Sequence, residues 1–153
     1  MAFRIARAGL DDVETIVEHR RAMFWDMGQR NDVALDEMSG SFRGWVVRKI
    51  ESGEYLAWFA IADDAKVAAG VGLWLMDWPP HLIGPGVPRG NIVNVYTRRE
   101  HRRQGLAGVL VKTALDCCRE IGLKSVVLHA SPEGKSLYES MGFRATNEMR
   151  LLL

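Results

Sequence analysis

Four arginines fall within six residues, in Arg98-Arg99-Glu100-His101-Arg102-Arg103, and Gln104-Gly105-Leu106-Ala107-Gly108 follows at once. Before the run stands NIVNVYT, which reads as a strand; after it, apolar residues recur at helical spacing from Leu106 to Ile121. The basic segment is therefore a strand-to-helix turn. The first amide N–H groups of such a helix have no acceptor within it, and together with the helix dipole they form an anion site. Gly105 lets the backbone approach a phosphate with no Cβ in the way. Arg102 and Arg103 add charge and planar donors. Each charge-assisted hydrogen bond contributes about 1.5–3 kcal/mol, so several amides acting together suffice for a diphosphate. The order G-x-G-x-x-G is absent, which excludes a dinucleotide fingerprint, and G-x-x-x-x-G-K-[ST] is absent, which excludes a P-loop.

Other chemistry-bearing residues are sparse. His19, His81, His101 and His129 lack metal-ligand spacing, and no metal is expected. His129, on a core strand, is expected to be buried and satisfied. Ser39-Gly40-Ser41 is not a nucleophile elbow. Cys117 and Cys118 are adjacent in a helical pattern, which suits buried small hydrophobes better than a disulfide framework. Tyr138 lies on a short amphipathic helix in SPEGKSLYESMGF, where packing is the ordinary role for a tyrosine.

The elements that must position these groups can be read from periodicity. Phe3–Ala6 alternates as a first strand. Asp11 with Glu14 resembles a capping box, and Val13, Ile16, Val17, Phe24 and Met27 continue as a helix. Leu35, Met38, Phe42, Trp45, Val46 and Ile50 suggest a second helix ending near Gly53. YLAWFAIA and KVAAGVGLWLM, separated by Asp63-Asp64, read as an antiparallel hairpin. DWPPHLIGPGVPRG holds four of the five prolines and reads as a long loop. NIVNVYT, the helix from Leu106, and SVVLHA make a parallel βαβ unit. A short helix spans about 133–141, and the tail FRATNEMRLLL reads as one or two strands. The order is β-α-α-β-β-β-α-β-α-β, a single α/β (α+β by some schemes) domain on a mixed, mostly antiparallel sheet with helices on both faces.

The 153 residues fit one domain with a substantial core. The composition, 48% hydrophobic and 25% charged with net charge +1, is that of an ordinary globular protein. It gives no global signal for nucleic acid or an anionic membrane, so neither is expected as a partner, and RREHRR is short and lies in a turn. The start turns acidic too early for a signal peptide, no apolar run reaches the ~18 residues of a membrane span, and a cytoplasmic location is expected.

With these residues in hand, the chain resembles the GNAT superfamily of acetyl-CoA-dependent N-acetyltransferases. The signature [QR]-x-x-G-x-[GA] reads Arg102-Arg103-Gln104-Gly105-Leu106-Ala107, and a short helix carrying Tyr138 precedes Gly142-Phe143. The resemblance extends over nearly all of residues 1–153. It implies a cofactor-binding core at about 91–143 and acceptor-side elements at about 11–54 and 77–90. Main-chain groups of Val95, Tyr96 and Thr97 would meet the pantetheine arm of acetyl-CoA. Arg102, Arg103, Gln104, Gly105, Leu106, Ala107 and Gly108 would hold the pyrophosphate. Ser131 stands where many relatives have a cofactor-contacting Asn, and Arg99 where many have Pro. Tyr138 would protonate the departing thiolate.

Direct attack by a primary amine on the thioester needs no enzyme nucleophile. It needs an oxyanion donor, for which the main chain at Val95 or Tyr96 serves, an acid, and removal of a proton from the amine. Glu37, Asp77, Glu100, His129 or a water chain are all open as the base. Phe24, Trp25 and Trp78, with Arg30 and His81, are expected near the acceptor, whose class stays open among small amines, amino acids, antibiotics and protein termini. The alternative is a non-catalytic acyl-CoA sensor of the same fold. Self-association as a homodimer is also expected.

Overall fold

A computed structural model describes residues 2–153; the single-domain reading also includes Met1, which lies outside the described residues. Five strands lie in the order β1-β2-β3-β4-β5: β1 (Phe3–Ala8), β2 (Tyr55–Ala62), β3 (Val67–Met76), β4 (Arg89–Thr97) and β5 (Val126–Leu128). The first three neighbouring pairs are antiparallel, and β4–β5 alone is parallel. The helices are α1 (Val13–Asp26), α2 (Asp32–Glu51), α3 (Leu106–Glu120) and α4 (Lys135–Ser140).

The sheet is covered on both faces, which explains why YLAWFAIA is apolar throughout rather than alternating. Tyr55, Ala57 and Phe59 of β2 pack with Val13, Ile16 and Val17 of α1 and with Phe42 and Val46 of α2. Trp58 and Ala60 point the other way, into a core with Leu106, Leu110, Val111 and Ala114 of α3. Cys118 is buried there and Cys117 half-buried, both as free thiols, and burial pushes both thiols up.

Three local features depart from the sequence-based expectations. The entry to α1 is capped one residue along: a short 3-10 turn spans Leu10–Asp12, and the Gly9 amide donates to Asp12 Oδ2 at 2.9 Å. Glu14 instead accepts from Arg43 of α2 at 2.7 Å. The tail forms no strand: nothing after Ser140 is helix or strand, and Met149, Leu151, Leu152 and Leu153 are exposed. Alternation within FRATNEMRLLL marks a segment able to pair, but a strand also needs a neighbour with a free edge beside it. His129 is exposed rather than buried, because β5 stops at Leu128.

Candidate functional site

The parallel pairing that joins β4 to β5 is short. Gly90, Asn91 and Ile92 match Val126, Val127 and Leu128, and then β5 ends while β4 runs on to Thr97. The second half of β4 therefore keeps its β3 neighbour but has an open edge on the β5 side. Its register against β3 slips between Gly70 and Gly72, and Asn94 takes a left-handed φ of 56°. An extra residue in one strand bends it and re-aims the side chains beyond the bend. Past the slip, Val95 packs toward α3, while Tyr96 turns to α1 and lies 5.1 Å from His19 between ring centroids. Thr97 closes the ladder opposite Ala69.

The basic turn comes immediately after β4. Arg103 (φ 63°) and Gly105 (φ 77°) are both left-handed, a conformation that points successive amides into one concavity. The main-chain bonds resume with Val109 N–H, which donates to Gly105 O at 3.2 Å. Between them, the amides of residues 103–108 have no acceptor among the described residues. A Cβ built on Gly105 would meet no protein atom within 4 Å, so the space before these amides is open. Six consecutive amides without a protein acceptor, at the start of a 15-residue helix, suit a polyanion such as a diphosphate.

Arg102 is placed differently from expectation. Its Nε donates to Thr97 O at 2.9 Å, and its Nη2 donates to Asp26 Oδ2 at 2.5 Å. Arg99 Nη2 lies 3.6 Å from the other oxygen of Asp26. Asp26, at the end of α1, thus ties the turn to that helix, and Arg102 acts on the turn's shape more than as a free cation. The sequence gives little sign of this, since the partners are 76 positions apart.

Tyr138 is 9% exposed and packs in the α3-side core, 6.0 Å from Phe143 in an edge-on arrangement. Burial raises its pKa, so the phenol keeps its proton at neutral pH. Ser131 serves the local chain: its Oγ accepts from the Gly134 amide at 3.1 Å, just before α4.

On the opposite face, a polar cluster sits behind the β4 bulge. Asn94 Nδ2 donates to the Tyr55 hydroxyl at 2.8 Å, and Arg20 Nη1 donates to Asn94 Oδ1 at 2.8 Å. Burial pushes the Tyr55 phenol up to about 12. His19, 2% exposed, has no partner for Nε2, and burial, then the Arg98 charge, brings it down to about 4. A cavity of 10 Å³ lies among His19, Tyr55, Gly70 and Asn94, at the lower limit for one water. Asn94, Arg20, His19 and Tyr55 escaped the sequence reading. The available signal was a polar Asn in the middle of an apolar strand, facing two glycines in β3.

The expected acceptor residues are scattered. Trp25, with Arg30 4.5 Å over its ring, lines a cleft of 660 Å³ with Glu18, Asp26, Tyr96 and Arg99. Phe24 turns away beneath Arg20, at 5.1 Å. Trp78 stacks on His81 at 5.2 Å and carries Arg89 at 4.7 Å, beside the first residues of β4. Glu37, Asp77, Glu100 and His129 are all exposed.

Known proteins share this fold. The family model described as "Acetyltransferase (GNAT) family" matches residues 5–143. A GCN5-related N-acetyltransferase from Ralstonia eutropha is 33% identical, with 99% of both chains covered and a TM-score of 0.91. A predicted acetyltransferase from Clostridium acetobutylicum, solved with acetyl-CoA, is 22% identical and superposes with a TM-score of 0.89, over 99% of this chain and 96% of the other. Human N-acetyltransferase 8 is 36% identical over 63 residues, which span 39% of this chain and 28% of that protein. With the family model covering most of its length, on the fold and turn described above, the chain belongs to the GNAT acetyltransferase family.

Proposed function

We propose that this protein transfers an acetyl group from acetyl-CoA to the primary amine of a small acceptor by direct attack. The observation that carries the proposal is the run of six unpartnered amides opening α3, set beside the open edge of β4. Acetyl-CoA supplies the activated acyl group as a thioester. The amides of residues 103–108 hold its diphosphate, with Arg103 adding charge at the rim. The open edge of β4 from Val95 to Thr97 offers main-chain donors and acceptors to an amide-bearing arm. Adding a strand-like ligand to a free edge uses hydrogen bonds that the short β5 leaves unmade.

Acyl transfer puts negative charge on the thioester oxygen and then on sulfur. A main-chain N–H at Val95 or Tyr96, aimed by the bulge at Asn94, stabilises the oxygen. As the C–N bond forms and the C–S bond breaks, Tyr138, kept protonated by burial, donates to the departing sulfur, and the proton lost by the amine passes through water to restore the phenol. The acceptor reaches the reacting centre from the α1 and α2 side, where Trp25 and Tyr96 wall the cleft. Family membership and the protonated tyrosine favour turnover over a sensor that only holds acyl-CoA.

Calorimetric titration with acetyl-CoA, followed by thiol release against a panel of amines, tests the proposal. Binding with turnover supports it, binding with no turnover on any amine returns weight to the sensor, and no binding overturns both.

A further inference from the structure

The arginines of this protein divide in an unexpected way. Of the fifteen arginines, Arg21, Arg43, Arg98, Arg99, Arg102 and Arg119 lie within ion-pair distance of a carboxylate; of the nine that do not, seven are exposed to water and only Arg20 and Arg89 are half-buried. Arg20 has no carboxylate partner among the described residues. It is half-buried, and its guanidinium lies over two aromatic rings, 5.1 Å from Phe24 and 4.8 Å from Phe42. Nη1 is bound to the neutral Asn94 side chain, and Nε is buried with no partner. Burial lowers its pKa, and the one charge effect that opposes this comes from Tyr55. A desolvated cation with spare donors and no anion is costly, and the cost is recovered when an anion with matching geometry arrives. A guanidinium presents a planar fork that matches a carboxylate.

Its position is as telling as its charge. Asn94 immediately precedes Val95, and neighbouring Cα atoms are about 3.8 Å apart. Arg20 is thus anchored on the residue that precedes the main-chain segment, Val95 or Tyr96, proposed to hold the thioester oxygen. Arg89 also lacks a carboxylate partner, but it stands five residues up the strand, about 16 Å away.

We propose that Arg20 receives the carboxylate of the acceptor, making the substrate a small amino-acid-like amine whose acid group lies only a few bonds from the reacting nitrogen. This rests on the transferase reading of the same site. The aromatic rings that hold Arg20 keep its fork in place; Asn94 fixes Nη1 and burial seals Nε, leaving Nη2 and the second proton of Nη1 for the ligand.

The test uses the full-length protein saturated with coenzyme A or acetyl-CoA. The twenty protein amino acids are screened for binding to the coenzyme A complex by calorimetry and for thiol release with acetyl-CoA. The best of them is then compared with its own decarboxylated amine, as phenylalanine with phenethylamine. Wild type is expected to favour the acid by about 10–100-fold, the range for a hydrogen bond to a charged group. Arg20→Gln should abolish that preference while leaving acetyl-CoA affinity unchanged, and Arg20→Lys should restore part of it. If Arg20 only braced Asn94, both members of the pair would weaken equally in Arg20→Gln, which would overturn the proposal. So would turnover on amines with no preference for the acid, or failure of every amino acid to bind. Selective, Arg20-dependent binding with no turnover on any amine would uphold this proposal and sink the transferase reading instead.

Discussion

Lowering the pH from about 7 to about 5 should destabilise this protein chiefly through His19. It is 2% exposed, with an ordinary pKa of 6.5 that burial and the Arg98 charge bring down to about 4. As pH falls, the unfolded chain takes up the proton first, so folding stability declines from about pH 6.5 and levels off below about pH 4, where both states are charged. Between about pH 7 and about pH 5 the loss from this residue is about 2 kcal/mol, roughly a 20- to 30-fold change in the folding equilibrium. His19→Gln removes the titration and leaves the other ionisable groups in place. Urea unfolding of both proteins at the two pH values should show wild type losing about 2 kcal/mol more than the variant. Equal losses would mean that the imidazole accepts a proton inside the fold, and the account of a sealed, unpartnered histidine behind the β4 bulge would be wrong.

Gly105→Val should abolish measurable acetyl-CoA binding in calorimetry. The left-handed φ of 77° disfavours a branched side chain, and its methyls would stand before the open amides, although a Cβ there touches nothing in the protein. Retained affinity would dismiss the diphosphate assignment. Tyr138→Phe should lower kcat by about 10²-fold or more, the span of a general acid, with acetyl-CoA affinity little changed; an unaltered kcat would leave the tyrosine a purely structural role. Trp25→Ala, which removes one wall of the cleft beside Tyr96, should raise acceptor KM more than acetyl-CoA KM in steady-state assays, and the reverse result would place the acceptor elsewhere.

The strand-to-helix turn was legible in the chain itself because it is local: a strand, glycine at the helix start and arginines at fixed offsets determine where unpaired amides collect. The two-faced sheet was legible for a similar reason, since the unbroken apolar run of β2 has no solvent face to write in polar residues. The sequence also placed Tyr138 on its short helix. What it did not determine depends on contacts between distant segments. Whether the tail becomes a strand depends on a free neighbouring edge, not on its own alternation. Whether Arg102 is a free cation depends on Asp26, brought to it from the end of α1. The pairing of Arg20 with Asn94, and the burial that desolvates His19, arise only when α1 closes over the β4 bulge. Periodicity assigns a residue to a face of its own element; only packing decides which charge that face meets, and whether water remains to screen it.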